Sequence, residues 1–166
     1  MYAVLAAAII GSLFWSPADR SYHGDRWLAS GGQSLHHRGD AGHQGILTLE
    51  YRPDWPAPLV GPRSDLKPVL GLGVSPDQTR YLYAGWRKEL RWGALQITPS
   101  FSPTLFQPFG QDDPHARLQF RTGLEVTGWR LGDVELGAGY FHISNGNLNA
   151  RNANIDAVFL SLRGRS

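Results

Sequence analysis

The chain has 166 residues, the size of one domain, and it contains no cysteine, which excludes disulfides, thiolate metal sites and a cysteine nucleophile. Its formal net charge of +2 comes from scattered arginines without a basic stripe, which argues against a nucleic-acid partner. The 20 glycines, 11 prolines and many aromatic residues indicate short strands and turns, and the mean hydropathy of -0.29 excludes a bundle of membrane helices but not a barrel of alternating strands.

The N-terminus carries a mostly apolar segment, from Ala3 to Trp15, followed by small residues at Ser16-Pro17-Ala18. This order is typical of the apolar region and the cleavage site of a signal peptide. The segment is too short to cross a bilayer comfortably, and a buried strand or helix is the alternative. We therefore predict a signal peptide over residues 1–18 and a single β-barrel domain over residues 19–166.

The rest of the chain alternates between apolar and polar residues with a period of two, the pattern of strands that have one apolar face. In one clear example, Leu118 and Phe120 alternate with Gln119 and Arg121. The same pattern predicts eight strands, an even number, separated by segments rich in turn-forming residues. The predicted strands cover residues 27–35, 45–52, 67–75, 79–89, 93–105, 116–129, 133–145 and 155–163.

Alternation alone does not show which face meets the solvent, because a soluble lipocalin-like barrel turns its apolar face inward and an outer-membrane barrel turns it outward. The polar face combines Arg and Glu with several Gly, as a narrow lumen with paired charges requires, and an export signal would deliver the chain to the envelope. Tryptophans near the predicted strand ends also suit interfacial girdles. They are Trp27, Trp55, Trp86, Trp92 and Trp129. We predict an all-β fold, an eight-stranded antiparallel transmembrane (outer-membrane) β-barrel.

The seventh predicted strand ends with two residues that could form a catalytic pair, His142 and Ser144. Residues two apart in a strand share a face, so the histidine could take the proton of the serine. Asp156, on the eighth predicted strand, shares the apolar face by parity and could orient the imidazole across the hairpin. Ionisable groups in hydrocarbon are costly without a function, although polar strand ends at the membrane rim are the alternative interpretation.

Three blocks of sequence carry a family resemblance: Ile97-Thr98-Pro99-Ser100-Phe101, Leu118 to Glu125 and, most specifically, Phe141-His142-Ile143-Ser144-Asn145. With them, the stretch from about Leu95 to Arg163 resembles the outer-membrane lipid A 3-O-deacylases of the PagL type, also grouped as acyloxyacyl-hydrolase-like barrels. The resemblance implies an outer-membrane enzyme. Earlier segments resemble the family more loosely.

The resemblance also implies roles for individual residues. The catalytic histidine of the family falls on His142, its serine nucleophile on Ser144 and its acid on Asp156, where many members have glutamate. Asn145 matches a residue expected to help form the oxyanion hole, and Gly146 would add a second donor there.

The chain departs from the family at two points near the acid. Aspartate is one methylene shorter than glutamate, so the strands must lie slightly closer for the same hydrogen bond. The usual Asn-Pro-Gly before the acid is Asn152-Ala153-Asn154 here. These changes bear on efficiency more than on mechanism.

The implied reaction is hydrolysis of the ester that links a 3-hydroxyacyl chain to the glucosamine of lipid A, with release of a 3-hydroxy fatty acid. No metal or other cofactor is required, and the implied partners are lipid A or lipopolysaccharide and the outer membrane. Arg151 could hold a lipid A phosphate, although a generic surface arginine explains it equally well. The oligomeric state stays open, and a homodimer is compatible with the sequence.

Two rival functions remain at this point. One is a structural or adhesive outer-membrane barrel that kept the fold and lost the activity. The other is a soluble lipid-binding barrel. Substitution of Ser144 separates the first from an enzyme, and membrane fractionation separates the second.

Overall fold

The computed structural model describes residues 26–36, 44–55, 65–76, 79–107, 118–146, 148 and 154–164. The signal peptide predicted over residues 1–18 and the loop residue Arg151 lie outside these ranges. Within them, there is no helix of the length and apolarity needed to cross a membrane.

Nine strand segments form one antiparallel sheet that closes on itself. In chain order they are β1 (Arg26–His36), β2 (Gly45–Arg52), β3 (Lys67–Val74), β4 (Arg80–Arg87), β5 (Leu90–Trp92), β6 (Leu95–Gln107), β7 (Leu118–Leu131), β8 (Val134–Ser144) and β9 (Ile155–Gly164). Pairing of β1 with β9 closes the barrel, and β4 and β5 both pair with β6, so the nine segments occupy eight positions. The protein is therefore a closed eight-stranded antiparallel β-barrel, as predicted.

The main difference from the predicted strands lies around Lys88 and Glu89. The fourth strand ends at Arg87, two residues earlier than predicted, and a segment that was not predicted, β5, follows along β6 as far as a turn at Gly93 and Ala94. Gly93 has a positive φ of 61°, a conformation that favours glycine. This turn makes β6 begin at Leu95, two residues later than predicted.

The apolar face of each strand points outward and the polar face points inward. On β2, for example, Leu47 and Leu49 are 65% and 40% exposed, whereas Thr48 and Glu50 are buried. Other exposed outward leucines include Leu70, Leu72, Leu82, Leu105, Leu118, Leu160 and Leu162. This arrangement is that of a membrane barrel and is the reverse of a soluble lipocalin-like barrel.

Charged side chains pair in the lumen, as predicted from the polar face. Arg52 lies 2.6 Å from Glu50 and 2.5 Å from Glu125. The hydroxyl of Tyr83 donates a 2.6 Å hydrogen bond to Glu50. The guanidinium of Arg121 lies 4.6 Å from the ring centroid of Tyr83 and 3.4 Å from Glu50. Partners for these buried charges compensate for their removal from water.

The two ends of the barrel differ. The turn end carries the two-residue connections at 93–94 and 132–133 and also the longer connection between β2 and β3, residues 53–66, and the loop end carries the connections that follow β1, β3, β6 and β8. In outer-membrane barrels, short turns face the periplasm and longer loops face outward. All five tryptophans of the described ranges lie at the turn end, whereas the sequence showed only that they lie near strand ends.

A bulge in β7 directs one of these tryptophans outward. The register with β8 shifts between Thr127 and Trp129, and Gly128 has a φ of 147°. Because of the extra residue, Trp129 shares the outer face with its partner Leu136 and is 53% exposed. Without the bulge, strict alternation would place this indole in the lumen.

Candidate active site

The candidate site lies on the outer face of β8 at the loop end. Phe141 and Ile143 are 1% and 0% exposed and belong to the core cluster in the lumen. Because neighbouring residues of a strand point to opposite faces, His142 and Ser144 point toward the bilayer. The packing of the lumen thus determines the side on which the two polar residues lie.

Asp156 of β9 lies directly opposite His142 in the antiparallel register. It shares outward parity with Val158, which is 43% exposed, yet Asp156 itself is only 1% exposed. The imidazole Nδ1 of His142 lies 2.9 Å from the carboxylate Oδ1 of Asp156. The structure therefore brings these two predicted residues into hydrogen-bond contact.

Two further hydroxyl groups surround this pair. The hydroxyl of Tyr140 donates a hydrogen bond to Oδ1 of Asp156, the oxygen that contacts His142. On the other side, Thr122 of β7 is the register partner of His142, and its buried hydroxyl has no hydrogen-bond partner within the part of the chain that the structure describes. The alternating pattern predicted no role for Tyr140 or Thr122, because contacts across strands depend on a register that alternation does not reveal.

Ser144 lies two residues beyond His142, and Phe120 of β7 lies opposite it. Positions two apart in a strand are about 6.6 Å apart, a distance that the serine and histidine side chains can bridge by leaning along the strand. Phe120 stacks on Phe101 of β6, with ring centroids 5.8 Å apart and an interplanar angle of 11°. Ser144 therefore borders an apolar aromatic surface.

The predicted oxyanion residues follow Ser144 directly. Asn145 is 0% exposed, and its backbone oxygen accepts a 3.2 Å hydrogen bond from the amide of Leu148. Gly146 is exposed and has a positive φ of 62°. The chain thus turns sharply after Ser144, so that backbone amides follow the hydroxyl at once.

Asn154, two residues before the acid, has a positive φ of 45°, in the left-handed region. Asparagine adopts this conformation more readily than other residues with a side chain. Asparagine therefore suits the backbone conformation that the structure has at this position.

The arrangement contains the parts of an acyl-transfer site. When Nδ1–H of His142 is donated to Asp156, the unprotonated Nε2 is the basic nitrogen. Ser144 supplies a hydroxyl on the same face, and a carboxylate can stabilise the imidazolium that forms when the histidine takes a proton.

The comparisons with known proteins agree with this architecture. The family model described as lipid A 3-O-deacylase (PagL) matches residues 24–165. The crystal structure of the outer membrane enzyme PagL is similar, with a TM-score of 0.54, 17% identity, and coverage of 86% of this chain and 100% of that chain. Among curated protein sequences, no significant match is found.

Two further solved structures share the fold. A de novo designed transmembrane β-barrel has a TM-score of 0.58 at 8% identity, with 88% of this chain and 98% of that chain covered. The Yersinia pestis outer membrane protein Ail has a TM-score of 0.52 at 10% identity, with 86% and 100% covered. The chain is an outer-membrane β-barrel and belongs to the lipid A 3-O-deacylase (PagL) family.

Proposed function

We propose that this protein is an outer-membrane esterase that hydrolyses the 3-O-linked acyl ester of lipid A by a Ser-His-Asp mechanism and releases a 3-hydroxy fatty acid. The observation that carries the proposal is the contact of 2.9 Å between His142 and Asp156, both largely buried on a face that meets hydrocarbon. Such a pair is costly in that setting, and a catalytic role explains its presence. Membership of the lipid A deacylase family supports the substrate class.

In the acylation step, the hydroxyl oxygen of Ser144 attacks the ester carbonyl while Nε2 of His142 takes its proton. Asp156 stabilises the resulting imidazolium, and amide groups at Asn145 and Gly146 donate hydrogen bonds to the developing oxyanion. Collapse of the intermediate breaks the bond to the glucosamine oxygen, which receives the proton from His142. The acyl chain is then an ester of Ser144.

In the deacylation step, His142 takes a proton from a water molecule that attacks the acyl-enzyme. Collapse of the second tetrahedral intermediate returns the proton to Ser144 and releases the fatty acid. Both steps use side chains of β8 and β9 alone. A single chain therefore suffices for the reaction, and a homodimer is not needed.

The surroundings of Ser144 suit an acyl substrate. Phe120 lies opposite the serine and stacks on Phe101, and an acyl chain would lie against these rings in the membrane. The loop end faces outward in barrels of this type, toward the leaflet that contains lipid A. Arg151, in the connection between β8 and β9, would hold a phosphate of the same substrate.

The test is mass spectrometry of lipid A from cells that express the wild type or Ser144→Ala. We expect the wild type to remove one 3-hydroxyacyl group and the variant to lose activity by a factor on the order of 10⁶, as for other serine hydrolases without their nucleophile. Ser102→Ala is the matched control, because Ser102 is a fully buried serine on β6 whose hydroxyl has no hydrogen-bond partner among the residues that the structure describes. Identical lipid A from wild type and Ser144→Ala would favour the inactive structural barrel.

A further inference from the structure

The two oxygens of the Asp156 carboxylate differ in their hydrogen bonds. Its Oδ1 contacts both the imidazole of His142 and the hydroxyl of Tyr140, while its Oδ2 is buried and has no hydrogen-bond partner among the described residues. A buried carboxylate is costly unless donors compensate for the lost water. The Tyr140 hydroxyl is therefore a substantial part of what compensates this charge.

Tyr140 reaches the acid diagonally across two strands. Its own register partner is Val158, two residues beyond Asp156 on β9, and it precedes His142 by two residues on β8. Diagonal neighbours of this kind are within reach of long aromatic side chains. The tyrosine approaches the acid from the side of the membrane centre, because β8 runs from the turn end to the loop end.

We propose that Tyr140 is a positioning residue, which holds the carboxylate of Asp156 against His142 so that the imidazole stays directed at Ser144. An aspartate side chain rotates about two bonds, and a hydrogen bond to Oδ1 from each of two sides restricts that rotation. Tyr140 acts through Asp156 and does not contact the reacting atoms. This inference rests on the proposed Ser-His-Asp mechanism.

The inference predicts a specific kinetic pattern for Tyr140→Phe, which removes only the hydroxyl. We expect kcat to fall by about ten- to hundredfold, the effect of a lost hydrogen bond to a charged group. The KM for lipid A in detergent micelles should stay within about twofold, because substrate binding is untouched. Activity is divided by the amount of folded barrel, which is measured by heat-modifiable migration in electrophoresis.

The matched control is Tyr51→Phe. Tyr51 also faces outward, on β2 beside Trp27 at the turn end, and the two rings lie 5.1 Å apart. Tyr51 lies far from β8, so removal of its hydroxyl should leave kcat and KM unchanged. A similar fall in both variants would mean that the hydroxyls matter for the barrel rather than for Asp156, and would overturn the inference.

A double-mutant cycle tests whether Tyr140 acts through the acid. In an Asp156→Ala background there is no carboxylate to hold, so Tyr140→Phe should change single-turnover rates by no more than about twofold. A fall as large as in the wild-type background would overturn the inference, as would an unchanged kcat for Tyr140→Phe alone. Failure of the proposed function itself is recognised separately, because Ser144→Ala would then retain activity.

Discussion

Asp156 meets His142 because the two residues lie directly opposite each other on adjacent strands. Side chains of such cross-strand pairs have Cβ atoms about 4.5–5.5 Å apart, which a short acid can bridge. The missing methylene, relative to the glutamate of many family members, is therefore compatible with a contact of 2.9 Å. Because the carboxylate contacts the imidazole directly, loss of its charge should affect the reaction.

We expect Asp156→Asn to fold normally and to lower turnover by about 10⁴-fold, because a neutral amide does not stabilise the imidazolium and favours the wrong imidazole tautomer. Single-turnover hydrolysis of lipid A, together with heat-modifiable migration, measures both properties. Turnover close to that of the wild type would remove Asp156 from the mechanism.

Asn154 offers a second prediction for a single residue. Its φ of 45° suits glycine or asparagine and strains a β-branched residue. Asn154→Gly should therefore retain activity, whereas Asn154→Val should lose about 1–3 kcal/mol of stability in this turn and displace the start of β9. Parallel urea titrations and lipid A assays compare the two variants, and equal behaviour would show that the turn does not depend on this conformation.

The sequence predicted the shared face of His142, Ser144 and Asp156, because parity within a strand follows from alternation alone. It did not predict the contact of Tyr140 with the acid. That contact depends on the register of β8 against β9, and the long connecting loop allows several registers. The catalytic roles of His142, Ser144 and Asp156 stay predictions, and the variants Ser144→Ala and Asp156→Asn test them.

Among the strands, β7 shows where the alternating pattern no longer predicts the face on which a residue lies. The bulge at Gly128 reverses the parity of the residues that follow it, and nothing in the apolar pattern indicates the extra residue. The break at Lys88 and Glu89 is of another kind, because the register against β6 is the same on both sides: Arg87 lies opposite Ser100 and Leu90 opposite Ile97. Strand positions were thus predictable, while their interruptions were not.

Gly128 provides a prediction at this scale. A Cβ atom added there would lie 2.7 Å from the backbone oxygen of Ala94, and the φ of 147° is strained for any other residue. We expect Gly128→Ala to destabilise the barrel by about 1–3 kcal/mol. Gly45→Ala is the control, because a Cβ at Gly45 meets nothing within 4 Å. Equal urea midpoints for the two variants would contradict this account of the bulge.

The stability of the whole barrel depends on charges that face each other across the lumen. Glu125 of β7 contacts Arg52 of β2 at 2.5 Å and accepts a hydrogen bond from Ser161 of β9. These contacts join strands that are distant in sequence. The alternating pattern predicted that such charges would lie inside, but partners on opposite walls follow only from the closed structure.

Removal of Glu125 should therefore destabilise the barrel strongly. We expect Glu125→Ala to cost about 3–5 kcal/mol, because it removes one of the two carboxylates that compensate the buried charge of Arg52. Glu135→Ala removes a more exposed partner of Arg163, 3.1 Å away, and should cost less than Glu125→Ala. Unfolding in urea, followed by tryptophan fluorescence in lipid vesicles, ranks the two, and the reverse order would argue against a dominant lumen network.

The tryptophans of the turn end have a consequence for where the chemistry takes place. Indole rings prefer the level of the lipid headgroups, so the barrel is anchored in depth from its periplasmic side. The height of Ser144 above that anchor is then fixed by the length of β8, whatever the thickness of the surrounding lipid. In a thicker or thinner bilayer, the ester bonds of the outer leaflet would lie at a different height from Ser144. Turnover should therefore vary with the acyl length of the host lipid.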